Sequence, residues 1–332
     1  MKKVISSLAL SLVLCTWLST AAFAQELIVG GQPVGIKIST DGVLVAGVSE
    51  VETAEGAQSP AADAGICEGD MITEISGRKV ASSSDFLDAV SALDGETAKV
   101  TVLRNGKAMC FEVEPARSAE DQWMLGIWLR DSISGIGTLT FCDPQSGTYG
   151  ALGHSISGCE AGFAVPFKDG NITEADIVSI VPGAEGKPGE LNGSADLGSV
   201  IGSVEKNDGT GIYGQLYAQL GGETVQTGEI CIGPATILST VNGRQAREYG
   251  VEINRIYNGG DGQHVMLTVT DPALRAITGG IVQGMSGSPI MQNGRLVGAV
   301  THVFVNDPTK GYGLSIQDML RSAGLAVEEK AA

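Results

Sequence analysis

The segment Thr278 to Pro289 holds the residues best placed to do chemistry, Gly284-Met285-Ser286-Gly287-Ser288-Pro289. A serine hydroxyl is a weak nucleophile and becomes useful when a tight turn presents it to a base. Backbone N–H groups at Gly284 and Ser286 of such a turn can converge on one point and hold a developing oxyanion. Glycines at 284 and 287 leave room for a carbonyl group and accept the backbone angles the turn needs. A Gly/Ser surface turn between two strands would use the same residues. Ser288 is the second hydroxyl in reach.

Such a serine needs a general base, and near neutral pH that base is most often histidine. The chain has three, His154, His264 and His302. His154 follows Gly150-Ala151-Leu152-Gly153 well upstream of the serine and is the first candidate. A structural histidine between glycines is the plain alternative. His302, in Thr301-His302-Val303, follows the strand after the serine and lies near it in sequence. His264 precedes the apolar Val265-Met266-Leu267 and reads as structural. A carboxylate at a strand end can fix the histidine tautomer. Asp271 ends the run Leu267-Thr268-Val269-Thr270, yet Asp-Pro is also a common turn or helix start. Asp176, Asp196, Asp208 and Asp261 compete for the role.

These groups must be held by short apolar strands. Gly280-Ile281-Val282 before the serine and Leu296 to Val300 after it read as buried strands. Upstream, Gly35 to Ser39 and Val43 to Val48 read as two strands with Asp41-Gly42 as their turn. Ser59 to Gly65 reads as a short capped helix ending on glycine. Ser84 is placed to cap a helix over Asp85 to Leu93, with Phe86, Leu87, Val90 and Leu93 on one face. Thr97 to Glu114 reads as a hairpin about Asn105-Gly106. Residues 117–123 read as a linker, and residues from Leu125 onward as strands and glycine turns closed by a short helix within Ser315 to Leu325.

Two resemblances follow from these segments. Ser59-Pro60-Ala61, Ala64-Gly65-Ile66 and Gly69-Asp70-Met71-Ile72 are similar to PDZ domains, which bind an extended peptide as an added strand. The loop that would take the peptide lies at Val34, Gly35 and Ile36. It departs from the usual Gly-Leu-Gly-Phe form, since Pro33 has no N–H. Gly150 to His154, Val269-Thr270-Asp271-Pro272, Thr278 to Pro289, and Thr301 to Pro308 with Gly311-Tyr312-Gly313 resemble the sporulation stage IV protein B family of serine peptidases. That resemblance covers essentially the whole chain. It implies a mainly β fold: a targeting segment over 1–24, an α+β PDZ domain over 29–116, and a chymotrypsin-like double β-barrel over 124–326. It implies Ser286 as nucleophile, His154 as base and Asp271 as orienting acid, with no cofactor. Asp271 stands only fifteen residues before the serine, so its role comes from the resemblance and not from spacing. The implied substrate is a membrane-embedded regulator whose cleavage activates a late sigma-factor precursor, and the family also cleaves itself. The PDZ domain would take a peptide ligand, the chain's own included, or cover the protease. The rival reading is a PDZ adaptor with a catalytically silent barrel.

Composition sets further bounds. A net charge of −17 argues against nucleic acid and against an electrostatic hold on anionic lipid. Lys2-Lys3, the apolar Val4 to Trp17 and Ala22-Phe23-Ala24 form a secretory leader, cleaved or kept as an anchor. That places the protein across the cytoplasmic membrane and, by resemblance, between forespore and mother cell. Of the six cysteines none sits in a Cys-x-x-Cys or with metal spacing; Cys142 and Cys159 could pair, but buried thiols are the simpler reading. Gly209-Thr210-Gly211-Ile212-Tyr213-Gly214 copies a dinucleotide fingerprint without the strand and helix that fingerprint needs. Gly183 to Pro188 lacks the spacing of a phosphate loop, so no nucleotide is expected.

Overall fold

The computed structural model describes residues 25–157 and 164–325. The expected leader, Cys15 and Cys159 lie outside them. The fold is mainly β, with a PDZ domain, a closed barrel and a half-barrel sheet.

The closed barrel is built from Gly233–Ser239, Arg247–Asn258, Gln263–Val269, Lys310–Ser315, Arg295–Val303 and Pro289–Gln292, in that spatial order. Alternation drives it: Val265, Leu267 and Val269 point inward along one strand and meet Ile237, Val251, Ile253, Ile290 and Val300 in one core. The half-barrel sheet places Gly211–Gln215 beside Thr148–Ala151, then Ile127–Cys142, then Pro33–Val48, which also pairs with Phe167–Val181. Val34, Ile36, Ile38, Leu139, Tyr149, Ile172 and Ile212 fill its interior. In the PDZ domain Val43, Val45, Ile72, Phe86, Val90, Val100 and Val102 form a third core.

One strand touches all three bodies. Ile127 and Leu129 pack against the PDZ core, Ile133 against the half-barrel core and Ile136 against the closed-barrel core. Its neighbour Pro33–Val48 is likewise shared. Residues 33–39 pair with 132–138, and Leu44 to Val48 pair with 127–130. The expected turn at Asp41-Gly42 is therefore corrected. The inward parity does switch, from Val34, Ile36 and Ile38 to Val43 and Val45, which is the signal that reads as a turn. The chain instead continues, and the residues between Ser39 and Leu44 oppose Asp131 alone in an irregular register.

Local signals fare better. Pro60–Ala64 is a helix ended by Gly65 at φ +91°. The second helix spans Ser83–Ser91, and its cap is Ser82, which accepts the Asp85 N–H at 3.1 Å, rather than Ser84. Asn105 and Gly106 both have positive φ at the tip joining Ala98–Arg104 to Lys107–Val113. The last helix is Ile316–Ser322, capped by Ser315.

Candidate active site

The serine turn is held from two sides. Gly284 and Gly287 both sit at φ +93°, where an L side chain is strained. A Cβ on Gly287 would lie 2.1 Å from the Thr138 carbonyl oxygen and 2.5 Å from the Leu152 nitrogen. The turn thus presses against the half-barrel. Three bonds fasten it there. The Thr138 N–H donates to the Ser286 carbonyl at 2.9 Å. The Thr138 hydroxyl donates to the Gly284 carbonyl at 2.9 Å, and the Thr140 hydroxyl to the Gly287 carbonyl at 2.8 Å. Sequence reasoning missed both threonines, because nothing local links them to the turn. The N–H groups of Gly284 and Ser286 donate to no acceptor among the described residues, which leaves them free for an oxyanion. Ser288 is removed as an alternative: it is buried and donates to the Ser239 hydroxyl.

His154 is delivered by an unusual pair of angles. Leu152 at φ +71° is followed by Gly153 at φ +70°. A bulky residue in that region is uncommon and costs about 1–3 kcal/mol, which surrounding packing must sustain. Leu152 is buried against the half-barrel core. The His154 Nδ1 lies 2.9 Å from the Ser155 carbonyl oxygen. A carbonyl only accepts, so Nδ1 carries the hydrogen and Nε2 keeps its lone pair. Burial lowers the His154 pKa, against an upward pull from the Ser155 carbonyl, which favours the neutral form a base requires.

His154, Ser286 and His302 line one cleft of about 660 Å³, together with Asp261, Ser134, Gly135, Ile136, Gln283 and Gly284. The Ser286 hydroxyl is turned to the Thr301 carbonyl at 2.6 Å, and no hydrogen bond joins it to His154 among the described residues. The His154 and His302 rings lie with centroids 4.5 Å apart, tilted by 33°. Burial first, then the neighbouring imidazoles of His154 and His264, lower the His302 pKa, while Asp261 opposes them. His264 Nε2 lies 2.6 Å from Asp261 Oδ1. All three histidines therefore gather at this end of the molecule.

The residues lining the cleft do not include Asp271. Its Oδ1 accepts the N–H groups of Ala273 and Leu274 at 2.8 and 2.9 Å, capping the helix Pro272–Thr278. It follows the strand Gln263–Val269, whose other end carries the Asp261–His264 pair. Among the competitors, Asp176 pairs with Arg244. Asp208 is bonded to Thr210, Ser322 and Lys206. Asp196 accepts the Gly198 N–H. Only Asp261 lines the cleft.

The expected peptide loop of the PDZ domain is also corrected. Val34, Gly35 and Ile36 are interior to a strand paired on both sides, with Gly135 to Gly137 and with Ile172 to Glu174. Their ladder is occupied, and a Cβ on Gly35 would meet Ala195 and Thr173 at 2.5 Å. Gly209 to Gly214 runs from a turn into the strand Gly211–Gln215, with no helix to receive a phosphate. Cys142 is buried and unbridged, and burial raises its thiol pKa to about 11.

Residues 121–320 match the family described as SpoIVB peptidase S55, and residues 34–114 match the PDZ domain. Among solved structures, the active form of the Rv3671c protease from M. tuberculosis is similar at 14% identity and a TM-score of 0.35, over 59% of this chain and 77% of that one. Its inactive form is similar at 14% identity and a TM-score of 0.32, over 57% and 84%. No curated protein sequence matches the chain.

Proposed function

The chain belongs to the SpoIVB peptidase S55 family and is a serine peptidase, and from that premise we propose an exported endopeptidase of the sporulation signalling type. Ser286 is its nucleophile and His154 its base. The observation that carries this is the serine turn itself: a hydroxyl in the same cleft as a neutral imidazole, with two unbonded N–H groups beside it. A χ1 rotation takes the Ser286 hydroxyl from Thr301 toward Nε2 of His154. Ser286 then attacks the scissile carbonyl, and Nε2 takes its proton. The resulting imidazolium keeps its Nδ1–H on the Ser155 carbonyl. The N–H groups of Gly284 and Ser286 hold the oxyanion. His154 returns the proton to the leaving amine, and water then releases the acyl group by the same steps.

The substrate in this reading is a membrane-associated regulatory protein whose cleavage starts activation of a late sigma-factor precursor. The chain itself is a second substrate. The family supports that reading, and the apolar leader supports export. Among the described residues no helix is long and apolar enough to cross a membrane. A silent adaptor that acts by binding alone is the competing reading, favoured by the Ser286 hydroxyl resting on Thr301. Mass spectrometry of wild type beside Ser286→Ala, with a fluorophosphonate probe, tests both. Labelling and self-cleavage in the wild type alone support the peptidase. An unlabelled wild type leaves the adaptor.

A further inference from the structure

Among the described residues, nothing pairs with one edge of the strand Ile127–Cys142 next to the cleft. Its other edge pairs with Pro33–Val48 through to Thr138. On the open side, Thr148–Ala151 pairs only with residues 139–142. The direction of the backbone groups follows from Thr138. Its N–H donates to the Ser286 carbonyl and its carbonyl accepts the Leu152 N–H, so both point to the open side. This agrees with its partner Pro33, which has no N–H to offer. Register is regular from Ser132 to Thr138. Backbone direction alternates along a strand, so Ile136, Ser134 and Ser132 also present N–H and C=O to the open side. No backbone group pairs with them among the described residues.

This row of unpaired groups starts at the cleft and ends at the PDZ domain. Ile133 to Ile136 line the cleft. Beyond Ser132, the side chain of Asp131 accepts the N–H of Ser83 at 2.8 Å, at the start of the helix Ser83–Ser91. An unpaired edge is a ready template for another strand. Its continuity with the nucleophile turn identifies the occupant as substrate chain rather than a separate ligand. Resting on the peptidase reading above, we propose that the substrate is an extended, unfolded polypeptide segment that adds as a strand along Ser132 to Ile136. One end then lies over Ser286 and the other meets the PDZ helix at Asp131 and Ser83. The PDZ domain thereby selects substrates long enough to reach it. From Ser132 to Thr138 the edge spans roughly 20 Å at about 3.3 Å per residue, so about six substrate residues counted from the serine turn are needed.

Ser132→Pro tests this, because it removes an N–H that the ladder does not use and proline is tolerated at such edge positions. Ser132→Ala is the control. A proteome-derived peptide library is cleaved by each variant, and peptides of about five residues are compared with those above about fifteen. The expected result for Ser132→Pro is roughly a tenfold loss of kcat/KM on long peptides, with short-peptide cleavage and fluorophosphonate labelling unchanged. Ser132→Ala cleaves both like the wild type. Wild-type cleavage of long peptides by Ser132→Pro would overturn the proposal. If the variant fails to fold, amide hydrogen exchange in Ser286→Ala decides. Slowed exchange at Ser132 and Ser134 on adding a long cleaved peptide supports strand addition, and unchanged exchange refutes it. A wild type that labels with the probe but shows no length dependence sinks this inference alone. A wild type that neither labels nor cleaves sinks the peptidase reading and this inference with it.

Discussion

Replacing Asp271 by asparagine leaves the helix Pro272–Thr278 capped, because asparagine keeps an acceptor where Asp271 Oδ1 now receives two N–H groups at 2.8 and 2.9 Å. Asparagine and aspartate cap about equally well, so stability should change by only a few tenths of a kcal/mol. Asp271→Ala removes the acceptor and should cost about 1 kcal/mol, or roughly 2–4 °C in Tm for a unit of this size. Activity is the discriminating measurement. With Asp271 engaged as the helix cap and outside the cleft lining, Asp271→Asn should hold fluorophosphonate acylation and peptide cleavage within about threefold, under ~0.7 kcal/mol. Were Asp271 the orienting acid, the loss would be on the order of 10⁴, about 5 kcal/mol. A folded Asp271→Asn enzyme slowed a hundredfold or more would refute the placement argued from the helix cap. It would restore the role the family resemblance implies. Near-normal activity directs attention to the Ser155 carbonyl as the group that fixes the His154 tautomer.

Ser286→Ala should lose labelling and about 10⁴- to 10⁶-fold in kcat with Tm unchanged, and His154→Ala should be as inactive, since such residues act as a unit. Ser288→Ala should label normally, because that hydroxyl is buried against Ser239; a dead Ser288→Ala with a live Ser286→Ala would reverse the assignment. Thr138→Val keeps the shape but leaves the Gly284 carbonyl without its donor, so it should cost about 1–2 kcal/mol and slow acylation about tenfold; unchanged acylation would show the brace to be dispensable. The pH dependence has a definite sign: His154 is lowered from the ordinary 6.5 by burial, so the acid limb of kcat/KM should fall below 6.5. Stability should be undiminished above that value and decline as pH drops from it toward the folded-state pKa, because there the unfolded chain binds the proton more readily. An acid limb above 6.5 would contradict the burial of the ring.

How much of this was readable beforehand depends on how far apart the interacting residues are. Caps and tight turns depend on neighbours, so the helix ended by Gly65 and the hairpin at Asn105-Gly106 were legible, and the Ser82 cap was misplaced by only two residues. Ser286 and His154 could be picked out as candidates, because few residue types serve as nucleophile and base, and both line one cleft. Thr138 and Thr140 were not, since they brace the turn from 146 and 147 residues away. Asp271 shows a different limit. A carboxylate before proline at a strand end satisfies both a helix cap and a catalytic acid, and only the position of His154 separates the two. The strand Pro33–Val48 shows a third. A switch in the parity of buried residues marks either a reversal of the chain or a slip in register. The partner strands decide, and here Ile127–Cys142 runs beside both halves. That one pairing fixes the PDZ domain beside the protease, buries the loop expected to bind peptide, and leaves the Ser132 to Ile136 edge unpaired among the described residues beside the cleft. In the strand addition proposed above, peptide binds a strand that the PDZ-matching segment, residues 34–114, does not contain.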